Sequence, residues 1–393
     1  MLLLLLSLLF LSPSALAAPV AEGRSPEVDA SDDCKKCAGT GLVACKDCAK
    51  RGCLPREPEP AAPVARCSAA EDCCAGLRSV PCSRCDGPPE SVLAVRAEQS
   101  ASFAAWARAR AEAVEGIGEE VHHLESAHFR LDYGIRRLKL KGASKSHQVA
   151  HVYARRLEEL FALFVADLAA DPAEDVSHRT HVLLWDNAHD QELASLRFTK
   201  QPSTTMSKLM GAEPVVSIHY DKSHLHEEFE LHQAVVHQVA HCLLSNVYDG
   251  VWPGNIKGGW LDAGLAHAYE VELFDGVRNY CYVESDTLLR FKFGTWEPSV
   301  RKAVDADEAP GFLGIAQRHT TDLTPEEHMF AWSYVDFLRR AHPGKLGPLA
   351  RLVKRKTPIK DALQEVLGLN PFAFEAAWKE FVRAEYELKK KRR

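Results

Sequence analysis

His237-Gln238-Val239-Ala240-His241 is the segment of this chain whose spacing most directly suggests chemistry. On a helix, positions four apart share a face, so both imidazoles can meet one ion. Val235, Val236, Val239, Leu243 and Leu244 supply the apolar body of that helix. A second helical segment follows, Trp260-Leu261-Asp262-Ala263-Gly264-Leu265-Ala266-His267-Ala268-Tyr269-Glu270. Taken alone, the histidine pair reads as ordinary helix residues, because the chain holds 18 histidines. The order of the two segments gives the pair its weight.

Sulfur is the other chemistry. Ten of the 12 cysteines lie between Cys34 and Cys85. Cys34-x-x-Cys37 is followed by Gly39 and Gly41, Cys45-x-x-Cys48 repeats the pair, and Cys82-x-x-Cys85 precedes Gly87. Two thiolates three positions apart on a tight turn can both reach a Zn²⁺ at ~2.3 Å, and two such turns complete a tetrahedron. One grouping puts Cys34, Cys37, Cys82 and Cys85 on one zinc. Cys45 and Cys48, with two of Cys53, Cys67, Cys73 and Cys74, then hold another. A disulfide framework stays open, since ten is even and an exported chain meets an oxidising compartment. Cys242 and Cys281 read as buried core thiols.

The elements that must position these groups follow from periodicity. Residues 128–133 alternate as a strand; 181–185 and 214–220 read as buried strands. Val149, Tyr153, Leu157, Leu160, Phe161, Phe164 and Leu168 recur at helical spacing, and 227–246 and 260–274 are helical. Thr324-Pro325-Glu326-Glu327 is a helix start, opening a helix with Met329, Phe330, Trp332, Tyr334 and Phe337. Two or three further helices follow. The fold class expected is α+β, strands first and then a long helical half. The expected organisation is a signal peptide at 1–17, a flexible lead at 18–33 and a cysteine-rich module at 34–87. A connector helix at 91–121, the main domain at 125–388 and a basic tail at 389–393 complete it.

Two resemblances attach to these motifs. The tandem cysteine pairs resemble the cysteine-rich zinc domain of DnaJ-type chaperones, which implies a small zinc module that in some relatives holds unfolded chains. The family's fourth regular pair is replaced here by Cys53, Cys67, Cys73 and Cys74. Residues 125–388 resemble the gluzincin metallopeptidases, the thermolysin-like group with HExxH on one helix and W-L-x-E-G-L-A on the next. That resemblance implies a gluzincin-like domain with His237 and His241 as zinc ligands. It puts the general base at Gln238 and the third ligand at Ala263. A glutamine amide does not accept a proton near neutral pH, and losing a positioned base costs ~10²–10⁴ in rate. Alanine donates nothing to a metal. Asp262 points about 100° away from the vacant position, and His267 lies one turn beyond it; either is a substitute ligand, with Glu270 and His232 further candidates.

With 48 Lys+Arg against 54 Asp+Glu, the net charge of −6 gives no surplus for holding nucleic acid. At 46% hydrophobic residues a sizeable core is available. The apolar run Met1–Ala17 reads as a cleaved secretory signal, and no later segment has membrane-span length. The expectation is a secreted or periplasmic, extracytoplasmic protein, a pseudopeptidase that binds polypeptide, by strand addition to 214–220. Its rivals are an active zinc hydrolase using Asp262 or His267, and a chaperone-like or redox cysteine module beside an inert large domain.

Overall fold

Thr180–Trp185 is buried at every position, as a strand covered on both faces must be, and it lies inside a six-stranded sheet. The computed structural model describes residues 35–37, 40, 42–51, 64–70, 74–75, 77, 79–84, 87–221, 225, 227–281 and 294–388. The expected signal peptide, the basic tail, and Cys34, Cys53, Cys73 and Cys85 lie outside the described residues. By compactness the chain divides into residues 1–43 with 81–94, and residues 44–80 with 95–393. The sheet belongs to the second unit.

Its strands are Val64–Cys67 (β1), His122–Ser126 (β2), Phe129–Tyr133 (β3), Thr180–Trp185 (β4), Met206–Leu209 (β5) and Val215–His219 (β6). Their spatial order is β1-β2-β3-β4-β6-β5. The β3–β4 and β4–β6 pairs are parallel; the other three are antiparallel. The mixed α+β class is thus observed. The strand expected at 214–220 is present as β6, but it is not an edge available for strand addition. β4 flanks it on one side and β5 on the other. The free edge on that side, among the described residues, is β5. Its sequence Met-Ser-Lys-Leu carries little β signal, and pairing with β6 decides its conformation.

The helix expected at 91–121 runs Glu90–Ala113 (α1). Gly116 and Gly118 follow with φ of 76° and 72°, which only glycine adopts freely. The residues after them turn into β2. Arg110 of α1 reaches across the sheet to Asp132 on β3, a carboxylate 1% exposed that also meets His123 Nδ1 at 2.9 Å and His181 Nε2 at 2.6 Å. Burial alone would raise this carboxyl; His181, His123 and Arg110 together hold it far below the usual carboxylate range.

Ser146–Leu168 (α2) packs on β2 and β3, and its seven residues at helical spacing are each 2% exposed or less. Glu228–Asn246 (α3) packs under β4 and β6, opened by a reciprocal Glu227–Glu230 capping box. Gly259–Phe274 (α4) and Pro325–Ala341 (α5) lie against each other. A side chain at Gly264 would overlap the Ala331 carbonyl, so glycine permits this close approach. The expected Thr324 start of α5 is observed: Thr324 Oγ1 accepts from Glu327 N at 3.2 Å, and Glu327 Oε2 accepts from Thr324 N at 2.8 Å. Leu346–Lys354 (α6), Ile359–Leu367 (α7) and Pro371–Glu385 (α8) close the chain. No helix among the described residues is long and apolar enough to cross a membrane.

Lys354, 2% exposed, caps the end of α3. Its Nζ donates to Leu244 O at 2.8 Å, Ser245 O at 3.1 Å and Val247 O. Those carbonyls have no intrahelical partner. Lys354→Met should therefore cost about 2–4 kcal/mol, read as a lowered midpoint in urea unfolding at unchanged slope. A midpoint equal to wild type would show that the carbonyls find other partners.

Candidate metal centre

The i, i+4 spacing on α3 does what the sequence suggests: His237 Nε2 and His241 Nε2 face each other at 3.3 Å. Each imidazole is held from behind. His237 Nδ1 donates to Glu270 Oε2 at 3.1 Å, and His241 Nδ1 lies 2.9 Å from Asp262 Oδ1. A carboxylate on Nδ1 fixes the tautomer that leaves the Nε2 lone pair toward an ion. Asp262 is itself positioned by Thr320 Oγ1, which donates to its Oδ2 at 2.7 Å. Burial would raise the Asp262 carboxyl, but His241 and Lys208 bring it below its ordinary value. Glu270 Oε1 accepts from the backbone N–H groups of Arg278 and Asn279, at 3.3 and 3.1 Å, and from Asn279 Nδ2.

Further donors converge on the same space. Cys281 Sγ has its sulfur within 4.8 Å of the ligand nitrogens of His237 and His241. It is also 3.8 Å from His267 Nε2 and 3.6 Å from His328 Nδ1, two nitrogens that are 3.0 Å apart. His267 Nδ1 shares Glu270 Oε2 with His237, at 3.1 Å. α4 thus supplies Asp262, His267 and Glu270; α5 supplies His328; and the segment after α4 supplies Cys281. All four histidines are 0% exposed and Cys281 is 1% exposed.

The donor set fits a zinc-class ion. Ligand atoms around a tetrahedral ion with bonds of ~2.0–2.3 Å are separated by ~3.3–3.8 Å, close to the spacings here. Burial pushes His237, His267 and His328 well below the ordinary imidazole value and lowers His241, so all are neutral lone-pair donors. Burial likewise pushes the Cys281 thiol well up. A bound divalent ion would take it as thiolate, releasing a proton.

At the position that the resemblance assigns to the general base, Gln238 Oε1 accepts from Lys208 Nζ at 2.8 Å, and the same ammonium donates to Cys281 O at 3.0 Å. Lys208 lies on β5, whose register brings the edge strand beside the metal donors. Ala263 is 0% exposed in the hydrophobic core.

Several site expectations are corrected. Asp262 faces the rear nitrogen of His241, so it orients a ligand and does not replace one. Glu270, expected as a further candidate ligand, does lie with His237 and His267 in a group whose ligand atoms are close enough to hold an ion. His232 lies apart, its ring 4.9 Å from that of Phe274 and 6.2 Å from that of Tyr153. Cys281 is buried in the core as expected and also lies within ligand reach of His237 and His241; Cys242, with Sγ 3.9 Å from Val215 O, is in the core as well. In the cysteine segment, Cys45, Cys48 and Cys74 bring their sulfurs within 4.8 Å of one another, with Cys48 and Cys74 at 3.3 Å. Cys67 does not join them. Cys37 and Cys82 are both buried in the first unit.

Comparison with known proteins gives no match: no family model, curated protein or solved structure corresponds to the chain.

Proposed function

We propose that this protein is a non-catalytic, metallopeptidase-like polypeptide binder. Its large domain holds a zinc-class ion in a closed centre of His237, His241 and Cys281, completed by His267 or His328. The expected export rests on the leader at residues 1–17, and a zinc-binding role for the cysteine segment rests on Cys45, Cys48 and Cys74. Catalytic zinc keeps a coordination position open, whereas structural zinc is enclosed by four protein ligands. Two buried triads that share Cys281, one with His237 and His241 and one with His267 and His328, support the closed case. The bound ion would supply cross-linking of α3, α4, α5 and the segment at Cys281, together with Lewis acidity that this chain leaves without a base.

The observation that carries the reading is the contact of Gln238 with Lys208. An amide fixed by an ammonium group cannot take a proton from water. Binding of a polypeptide is assigned to the outer side of β5, the last strand of the sheet on that side among the described residues, where an added strand would lie. The test is incubation of the zinc-loaded full chain with a broad peptide library. No cleavage, with zinc present and peptides retained, is the expected result. Cleavage that disappears in Gln238→Ala would overturn it.

Restoring the base alone should not restore hydrolysis. A carboxylate introduced by Gln238→Glu would meet Lys208 Nζ at the place of the present 2.8 Å contact. An opposing charge that close lowers a carboxyl's proton affinity. Peptidase activity of Gln238→Glu should stay at the wild-type background. A rise of tenfold or more would show that Lys208 does not quench the position.

A further inference from the structure

The pentapeptide His-Gln-Val-Ala-His occurs twice: at 237–241 and, unchanged, at 147–151. The second copy opens α2, and its glutamine is used differently. Gln148 Oε1 accepts from the backbone N–H groups of Ser144 and Lys145, at 3.1 and 3.3 Å, so it caps the helix. Its two histidines again converge, with His147 Nε2 and His151 Nε2 at 3.0 Å. A thiol arrives from another element: Cys67 Sγ, at the end of β1, is 2.9 Å from His147 Nε2. Cys67 is 3% exposed and His147 8% exposed, while His151 is half-buried.

The register explains the meeting. Cys67 pairs with Leu124 on β2. Alternate strand residues share a face, so His122 lies on the same face as Cys67, the face that α2 covers. The His122 ring is 5.3 Å from that of His147, a further imidazole beside the cluster. All these residues belong to the second unit.

We propose that Cys67, His147 and His151 form a second metal site, for a zinc-class divalent ion, that fastens strand β1 to helix α2. One thiolate with two imidazoles is a donor set suited to Zn²⁺ and poorly suited to Ca²⁺ or Mg²⁺. The spacings of 2.9 Å between sulfur and nitrogen and 3.0 Å between nitrogens are about 0.6 and about 0.3 Å below the tetrahedral edges, so binding needs an outward shift of the donors. The site's role is mechanical. β1 is an edge strand of four residues, and a metal cross-link would hold it where few ladder bonds can.

This inference does not depend on the centre around His237. It is tested on the full chain, loaded with zinc, by metal content after exhaustive dialysis. His151→Gln and Cys67→Ser should each retain about one zinc fewer per chain than wild type, whereas His237→Gln should lose a different equivalent. Adding His237→Gln to His151→Gln should then remove two. Because Cys67 is deeply buried, the half-buried His151 position decides if the serine variant does not fold. Co²⁺ titration of wild type supplies the second readout: Cys67→Ser or His151→Gln should remove part of the thiolate-to-cobalt absorption. Unchanged zinc content and an unchanged cobalt spectrum in His151→Gln would overturn the proposal.

Discussion

Cys281→Ser should weaken zinc binding at the histidine centre by about 10²–10³-fold while leaving the fold in place. Structural zinc sites hold their ion with roughly 10–16 kcal/mol. Shared over three or four ligands, that is about 3–4 kcal/mol each, or 10²–10³ in affinity. Serine keeps the size of the side chain but offers an alcohol that does not ionise near neutral pH. The cost to folding should be about 1–2 kcal/mol, that of a buried hydroxyl in place of a thiol. Cys242→Ser is the internal control. That cysteine is 0% exposed and on the same helix as His237 and His241, yet its sulfur is turned toward Val215 O. It should lose comparable stability and no metal. The measurement is zinc retained per chain across a chelator series. Equal retention by the two serine variants would show that Cys281 is not a ligand.

The metal-free protein should lose stability steadily as the pH falls below 6.5. Burial lowers His237, His267 and His328 well below the ordinary value of 6.5, and lowers His232 to about 3. Below pH 6.5 the unfolded chain takes up protons on these imidazoles and the native chain does not. Unfolding then binds protons, so native stability falls as the pH falls through 6.5 toward the folded values, and is fully present above 6.5. Each histidine contributes about 1.4 kcal/mol per pH unit. Four such histidines act in the same direction, so their losses add as the pH falls. Asp262, held below its ordinary value in the native state, adds a loss of the same sign at lower pH. Bound zinc opposes this, because it holds imidazoles in the neutral form. Far-UV circular dichroism against pH, with and without chelator, should show a higher unfolding midpoint in the chelated sample. A chelated protein still native at pH 3 would contradict the burial of these histidines.

The parts of this centre that were legible from the chain are those that sit on one helix. His237 and His241 declare themselves through a spacing of four, and the following segment marks Asp262, His267 and Glu270 as neighbours. Their division of labour was not legible, because which carboxylate faces which nitrogen depends on how α4 lies against α3. Cys281, His328 and Lys208 carry no local signal. Each comes from a different element, and only tertiary packing, including the close approach at Gly264, brings them to α3. The fold divides similarly. The buried strands β3, β4 and β6 and the helices α2 to α5 follow from hydrophobic periodicity. β1, β2 and β5 are polar or short, and their state is set by the strand beside them. The residues of 214–220 read as a buried strand, as observed; only the peptidase resemblance made it an edge, and its neighbours β4 and β5 place it inside the sheet. The repeated pentapeptide was visible in the sequence. Its second copy gains meaning only when Cys67, 80 residues earlier, is seen against His147.

Anomalous diffraction at the zinc edge, from crystals of the full chain grown with zinc, tests the central claim most directly. A peak enclosed by His237 Nε2, His241 Nε2 and Cys281 Sγ, at bonding distance from all three, is the predicted result. A map with no peak there, in crystals whose cysteine segment is metal-loaded, would contradict it.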